Sequence, residues 1–119
     1  MKIQILPLVK GAQKATGLTV IIDVFRAFSL EAYMYTSGAK KVIPVKTVED
    51  ALALKKENPS YILVGERKGI KVEGFDYGNS PSEFVGVDLS GKTLIHTTSA
   101  GVLGLASAVS ASQIVTGAL

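Results

Sequence analysis

The sequence predicts an α/β domain with a mostly parallel sheet and helices on both faces. Continuous apolar, β-branched runs occupy residues 18–23, 61–64 and 92–97. Runs without polar alternation suit strands buried on both sides, as in parallel sheets. Between them lie stretches of helix-compatible composition, and the joins are short, which is the signature of β-α-β units. Right-handed crossovers follow from that topology.

Taken in order, residues 2–6 read as a short edge strand stopped by Pro7, and residues 10–17 as a polar loop with glycine at both ends. Residues 18–23 form the first core strand and end on Asp23. A helix is predicted over 27–37, with Gly38 as its C-terminal stop. Residues 42–45 make a short strand whose Pro44 places it at an edge or a strand end. Thr47 is the expected N-cap of the next helix, with Asp50 in its first turn and Asn58-Pro59 ending it. The run 61–64 is a third strand, delivering Glu66 and Arg67 at its end. Residues 65–81 are rich in glycine, acids, bases and amides and have no apolar period. They read as a ligand loop laid across the end of the sheet. Ser80 and Pro81 should start a short helix as N-cap and first residue. A strand at 92–97, a small-residue helix at 102–110 and a last strand at 113–116 complete a single domain over 1–119.

Composition narrows the chemistry. The 119 residues are 47% hydrophobic and 19% charged, a globular balance for one core. The net charge of +3 is mild, and Lys2, Lys10, Lys14, Lys40 and Lys41 form no dense stripe for nucleic acid. The surplus suits either a small anionic ligand or a solvated face. No cysteine is present, which excludes disulfides, thiolate metal sites and a cysteine nucleophile. The apolar run before Pro7 is too short for a signal peptide, and no stretch reaches the ~20 apolar residues of a membrane span, so a cytoplasmic protein without a membrane partner is expected.

Ligands of open parallel sheets sit beyond the carboxyl ends of the strands. Three such ends carry polar groups here: Asp23 with Arg26, Glu66 with Arg67, and Thr97 with Thr98. Carboxylates suit a hard divalent cation and arginines clamp phosphate. Helix starts at Ser80-Pro81 and Thr98-Ser99 would turn free N–H groups toward an anion. Each residue also has a plain reading. Asp23 serves equally as a helix cap, Glu66 and Arg67 as a solvated pair, Asn79-Ser80 as a turn, and His96 as a satisfied core histidine. The Gly-x-Gly-x-x-Gly fingerprint, the phosphate loop ending in Gly-Lys-Ser/Thr and the Gly-x-Ser-x-Gly elbow are all absent.

Four pieces in order carry a more specific signal: residues 22–27 (Ile-Asp-Val-Phe-Arg-Ala), 65–69 (Gly-Glu-Arg-Lys-Gly), 73–81 (Glu-Gly-Phe-Asp-Tyr-Gly-Asn-Ser-Pro) and 97–101 (Thr-Thr-Ser-Ala-Gly). With them the chain resembles the N-terminal half of the 2-phosphosulfolactate phosphatase family. One departure is Phe28-Ser29-Leu30-Glu31, where small hydroxyl residues are the commoner pattern. The resemblance implies a Mg²⁺-dependent phosphatase that hydrolyses 2-phospho-3-sulfolactate, or a similar small polyanionic phosphate ester, in coenzyme M biosynthesis. The implied catalytic residues are Asp23, Arg26 and Glu66; the metal ligands are Asp23, Glu66 and Asp76. Arg67, Asn79, Ser80, Thr97 and Thr98 would bind substrate. A half-length sheet would expose an apolar strand, so a homodimer is expected. The alternative is a non-catalytic anion-binding module, an inactive fragment of that family.

Overall fold

The computed structural model describes residues 1–118. In chain order it contains α1 (Leu8–Ala12), β1 (Gly17–Ile22), α2 (Ala27–Thr36), β2 (Lys41–Pro44), α3 (Val48–Glu57), β3 (Ile62–Arg67), β4 (Ile70–Lys71), a 3₁₀ turn (Pro81–Phe84), β5 (Thr93–Thr97), α4 (Gly101–Ser107) and β6 (Ala111–Gly117). The expected α/β class and mostly parallel pairing are what the fold shows. A four-stranded sheet has the order β2-β5-β3-β4, with β2, β5 and β3 parallel and β4 antiparallel. A second sheet pairs β1 with β6 in parallel.

Strand alternation sorts the core into two layers. Val64 and Leu94 point to one face, where they pack with Leu30 and Met34 of α2 and with Phe84. Leu63 and Ile95 point to the other, against Ala51 of α3. A third cluster joins Ala27 and Phe28 of α2 to Val102 of α4, with Ile21 of β1 packed against it. Thr47 caps α3 as expected, its Oγ1 accepting the Asp50 N–H at 3.0 Å. Pro44 ends β2 on the sheet's outer edge, where its missing N–H breaks no ladder.

Three expectations are corrected. Residues 2–6 form no strand, because no neighbouring strand pairs with them, and the first element is instead α1, inside the stretch read partly as loop. Gly11 of α1 lies under the Leu6 backbone, where a Cβ would fall 2.5 Å from the Leu6 carbonyl carbon. Second, β1 is not buried on both faces: Leu18, Val20 and Ile22 are 67%, 54% and 72% exposed. Its β-branched run ensures an extended backbone, but only the Ile21 side meets a covering layer.

Third, residues 65–81 are not one loop. Glu66 and Arg67 belong to β3, and Lys68-Gly69 form a two-residue hairpin into β4, with φ of +54° and +78°. Two successive positive φ angles match the right-handed twist of a hairpin. The chain then returns parallel to β3: the Tyr77 N–H donates to the Leu63 carbonyl at 3.1 Å, and the Gly65 N–H to the Tyr77 carbonyl at 3.1 Å. The one turn expected after Ser80-Pro81 is present as a 3₁₀ helix, with Ser80 at its N-cap position.

Candidate active site

Because β2, β5 and β3 run parallel, Pro44, Thr97 and Arg67 end on one rim of the sheet. The loop after β5 extends that rim toward β1, where Gly101 abuts Asp23. A Cβ on Gly101 would overlap the Asp23 carboxylate, with Asp23 Cβ and Cγ at 2.8 Å. Asp23, Glu66, Arg67, Thr97 and Thr98 are therefore brought to one rim.

Glu66 is the rim's most connected group. It is 7% exposed. Its Oε1 accepts the Ser99 N–H at 2.7 Å, and its Oε2 accepts the Gly69 N–H at 2.7 Å and the Ser99 hydroxyl at 3.1 Å. The Lys68 N–H donates to Ser99 Oγ at 3.1 Å, so both amides of the hairpin turn serve this knot. Burial raises the Glu66 pKa, but the Ser99 and Gly69 amides, the Ser99 hydroxyl and the Arg67 charge together outweigh it and hold the carboxyl below its ordinary value of 4.5.

A lowered folded pKa means the group's stabilisation is complete above its unfolded value and is lost as pH falls through the folded one. The destabilisation caused by Glu66→Gln should therefore be full at neutral pH and shrink on acidification below about pH 4.5. Thermal unfolding of both proteins across a pH series measures this; a difference that does not depend on pH would show that folding does not lower the Glu66 pKa.

Arg67 sits on the opposite face of β3 and ties three strand ends together. Its guanidinium donates to the Glu66 carbonyl at 2.7 Å, to the Lys46 carbonyl at 3.2 Å and to Thr97 Oγ1 at 2.8 Å. Thr98 Oγ1 accepts the Val102 N–H at 3.1 Å, tying down the first turn of α4. Thr97 and Thr98 are both buried. Ser80 Oγ shares a 2.8 Å hydrogen bond with Ser82 Oγ, while the Glu83 carboxylate takes the N–H groups of Gly78 and Ser80 at 3.1 and 3.3 Å. These side chains are engaged by the protein itself.

Arg26 differs. Among the described residues its guanidinium makes no hydrogen bond or ion pair, and with Val24, Phe25, Ser29 and Pro81 it lines a concavity of about 410 Å³. The Asp23 carboxylate, three residues before it, also makes no hydrogen bond among the described residues. Asp23 lines a larger open groove of about 1740 Å³ together with Ser99, Ala100, Gly101 and the N-terminal segment. Asn79 contacts His96, whose Nε2 lies 3.4 Å from Asn79 Oδ1. The other ring nitrogen lies 2.9 Å from Glu31 Oε1. His96 is fully buried, as a satisfied core histidine would be.

Asp23, Glu66 and Asp76 do not form a magnesium site as a set. Among the described residues no group of three or more acids or histidines is gathered to hold a metal ion. Asp76 Oδ2 accepts the Leu63 N–H at 2.8 Å, in the first half of β3, and Glu66 is filled by amides and a hydroxyl. Of the three, Asp23 alone has a carboxylate that makes no hydrogen bond among the described residues, enough for one ligand of an ion that takes few carboxylates and several waters.

Sequence reasoning missed three contributors. Ser99 clamps Glu66 through two donors, and its position next to the Thr97-Thr98 pair was the available signal. Glu31 is a buried acid within the apolar face Ala27, Leu30 and Met34 of α2, and an acid in that stripe marks a partner. Gly65 is required by close approach, since a Cβ there would run into the Thr97 carbonyl oxygen.

Comparison with known proteins places the chain in a family. Residues 5–119 match the family model described as 2-phosphosulpholactate phosphatase. The chain is 41% identical to a probable 2-phosphosulfolactate phosphatase of Bacillus subtilis over 82% of its own length and 42% of the relative's. For the proteins of the same name from Clostridium tetani and Clostridium acetobutylicum the identities are 46% and 45%, over 84% and 93% of this chain and 43% and 48% of those relatives. The chain thus spans less than half the length of these relatives. Among the described residues no helix is long and apolar enough to cross a membrane. With a family match over nearly its whole length, the chain belongs to the 2-phosphosulfolactate phosphatase family.

Proposed function

We propose that this chain carries the anion-binding rim of a phosphoric monoester hydrolase acting in the cytoplasm on 2-phospho-3-sulfolactate or a similar small polyanionic ester. The observation that carries the reading is the contrast between Arg26 and Asp23, whose charged ends make no hydrogen bond among the described residues, and the Glu66-Ser99-Arg67-Thr97 knot, whose ends are taken. Closed groups cannot take a ligand without breaking their own bonds; they stiffen the platform. Open groups can.

In this reading Arg26 holds the phosphoryl group through paired N–H donors. Asp23 would take a proton from the attacking water as that water's oxygen bonds to phosphorus and the bond from phosphorus to the ester oxygen breaks, the departing alkoxide taking a proton from solvent. Asn79 offers a further polar contact from the loop leading to Pro81. A magnesium ion held by Asp23, water and substrate oxygens would neutralise phosphoryl charge. The proposal extends to a homodimer through the exposed face of β1, which light scattering tests; a monomer would overturn that part.

The deciding experiment incubates the purified chain with 2-phospho-3-sulfolactate, with magnesium and with chelator, and measures released phosphate. Release that Asp23→Asn abolishes supports the hydrolase. The length of the relatives favours a second reading, in which this half binds the anion and does not turn it over. Phosphate that raises the melting temperature without any turnover supports that one, and neither effect sinks both.

A further inference from the structure

Arg26 stands in a concavity whose other walls are not built for charge. The space of about 410 Å³ is lined by Val24, Phe25, Arg26, Ser29 and Pro81. That size falls within the ~300–1,000 Å³ of small-molecule sites. Three of the five side chains are apolar, and Arg26 is the single charged one. The Ser29 hydroxyl donates to the Val24 carbonyl at 2.6 Å, so its one proton is spent. Phe25 is 91% exposed, an aromatic ring left against water in the same concavity as a guanidinium without a partner among the described residues. Water covering Phe25, Val24 and Pro81 is released with a gain in free energy only where a ligand presents apolar surface to them.

We propose that this concavity also admits phosphate esters whose carbon part is a compact apolar group, such as an aryl ring, and that Phe25 is the residue that favours them. The guanidinium holds the phosphoryl oxygens through paired N–H donors while the ring covers the apolar walls. A phosphate without such a group meets the cation and leaves those walls wet. A polar carbon part, such as a glycerol chain, gains nothing there, because its hydroxyls would give up water for walls that are mostly apolar. The inference goes beyond the sulfolactate ester, and it rests on the reading of Arg26 as the anion's partner.

Calorimetric titration of the full chain tests this, with inorganic phosphate, glycerol phosphate and phenyl phosphate at one pH and ionic strength and with chelator present. Phenyl phosphate should bind roughly tenfold tighter than inorganic phosphate, the scale set by taking part of one ring out of water. Glycerol phosphate should bind no tighter than inorganic phosphate. Phe25→Ala should reduce the advantage of phenyl phosphate to about twofold or less, since most of the apolar wall is gone. Phe25 supports no packed core at its exposed position, so the variant should fold, which thermal unfolding checks. In the unsubstituted chain, magnetisation transfer between the phenyl protons and the Phe25 ring reads the same contact independently. Arg26→Ala should weaken all three ligands together.

Equal affinities for phenyl phosphate and inorganic phosphate overturn the inference and leave the anion-binding reading of Arg26 standing. So does an advantage that glycerol phosphate shares, or one that Phe25→Ala retains. Binding that Arg26→Ala does not weaken, or no binding of any of the three ligands, overturns the anion-binding reading as well.

Discussion

Gly65→Ala is expected to cost about 3 kcal/mol or more of folding stability, at the upper end of what overpacking does. The reason lies at the centre of the sheet, where Gly65 of β3 faces Thr97 of β5 in register. An added Cβ would collide with the Thr97 carbonyl oxygen and come within 3.1 Å of Thr97 Cγ2. The obstructing atom is backbone, so no rotamer change relieves it. The two strands would have to separate at the point where Arg67 and Glu66 leave the sheet. Against a total stability of roughly 5–15 kcal/mol for a domain of this kind, the loss is severe. Urea unfolding of the variant and the unsubstituted chain checks it; a midpoint within error of the original would mean that β3 and β5 are not paired here as described.

The two arginines should respond in opposite ways. Arg26→Ala is expected to weaken phosphate binding by roughly ten- to hundredfold, the worth of a charge-assisted hydrogen bond to an anion, while the melting temperature stays put. Arg67→Ala should lower the melting temperature first. It strips donors from the Glu66 and Lys46 carbonyls and from Thr97 Oγ1. Buried acceptors left unpaired cost about 1–3 kcal/mol each, less where water can reach them. Calorimetry with inorganic phosphate, run beside thermal unfolding, separates the two. Equal loss of binding with no loss of stability in Arg67→Ala would return that side chain to the ligand.

This pair also shows what a linear reading captures. Arginine after a strand-ending acid is the pattern read as an anion site, and the sequence presents it twice, at residues 23–26 and 66–67. Which arginine stays open is decided by neighbours distant in the chain: Lys46 and Thr97 lie 21 and 30 residues from Arg67. The same holds for the acids. Asp76 looked equivalent to Asp23, but the return of residues 74–79 alongside β3 hands Asp76 Oδ2 to the Leu63 N–H. Glu66 was legible as a strand-end acid on the rim, whereas its filling by Ser99 and Gly69 depended on a hairpin two residues long that read as part of a loop.

By itself, the sequence determined the kind of backbone most stretches adopt, the N-terminal segment and the hairpin at 66–71 excepted, and the chemical types gathered at strand ends. Local sterics and periodicity suffice for that: β-branched runs extend, Thr47 caps, Gly38 stops a helix. Only the tertiary structure decided burial and partnership. β1 has an interior strand's composition and an exposed face, because burial requires a second layer and no residue of the strand itself supplies one. Register placed Gly65 against Thr97, and the packing of α2 brought Glu31 to His96. Hydrogen bonds reach only about 3 Å, so the choice between an open ligand and a closed brace was made where segments far apart in sequence met.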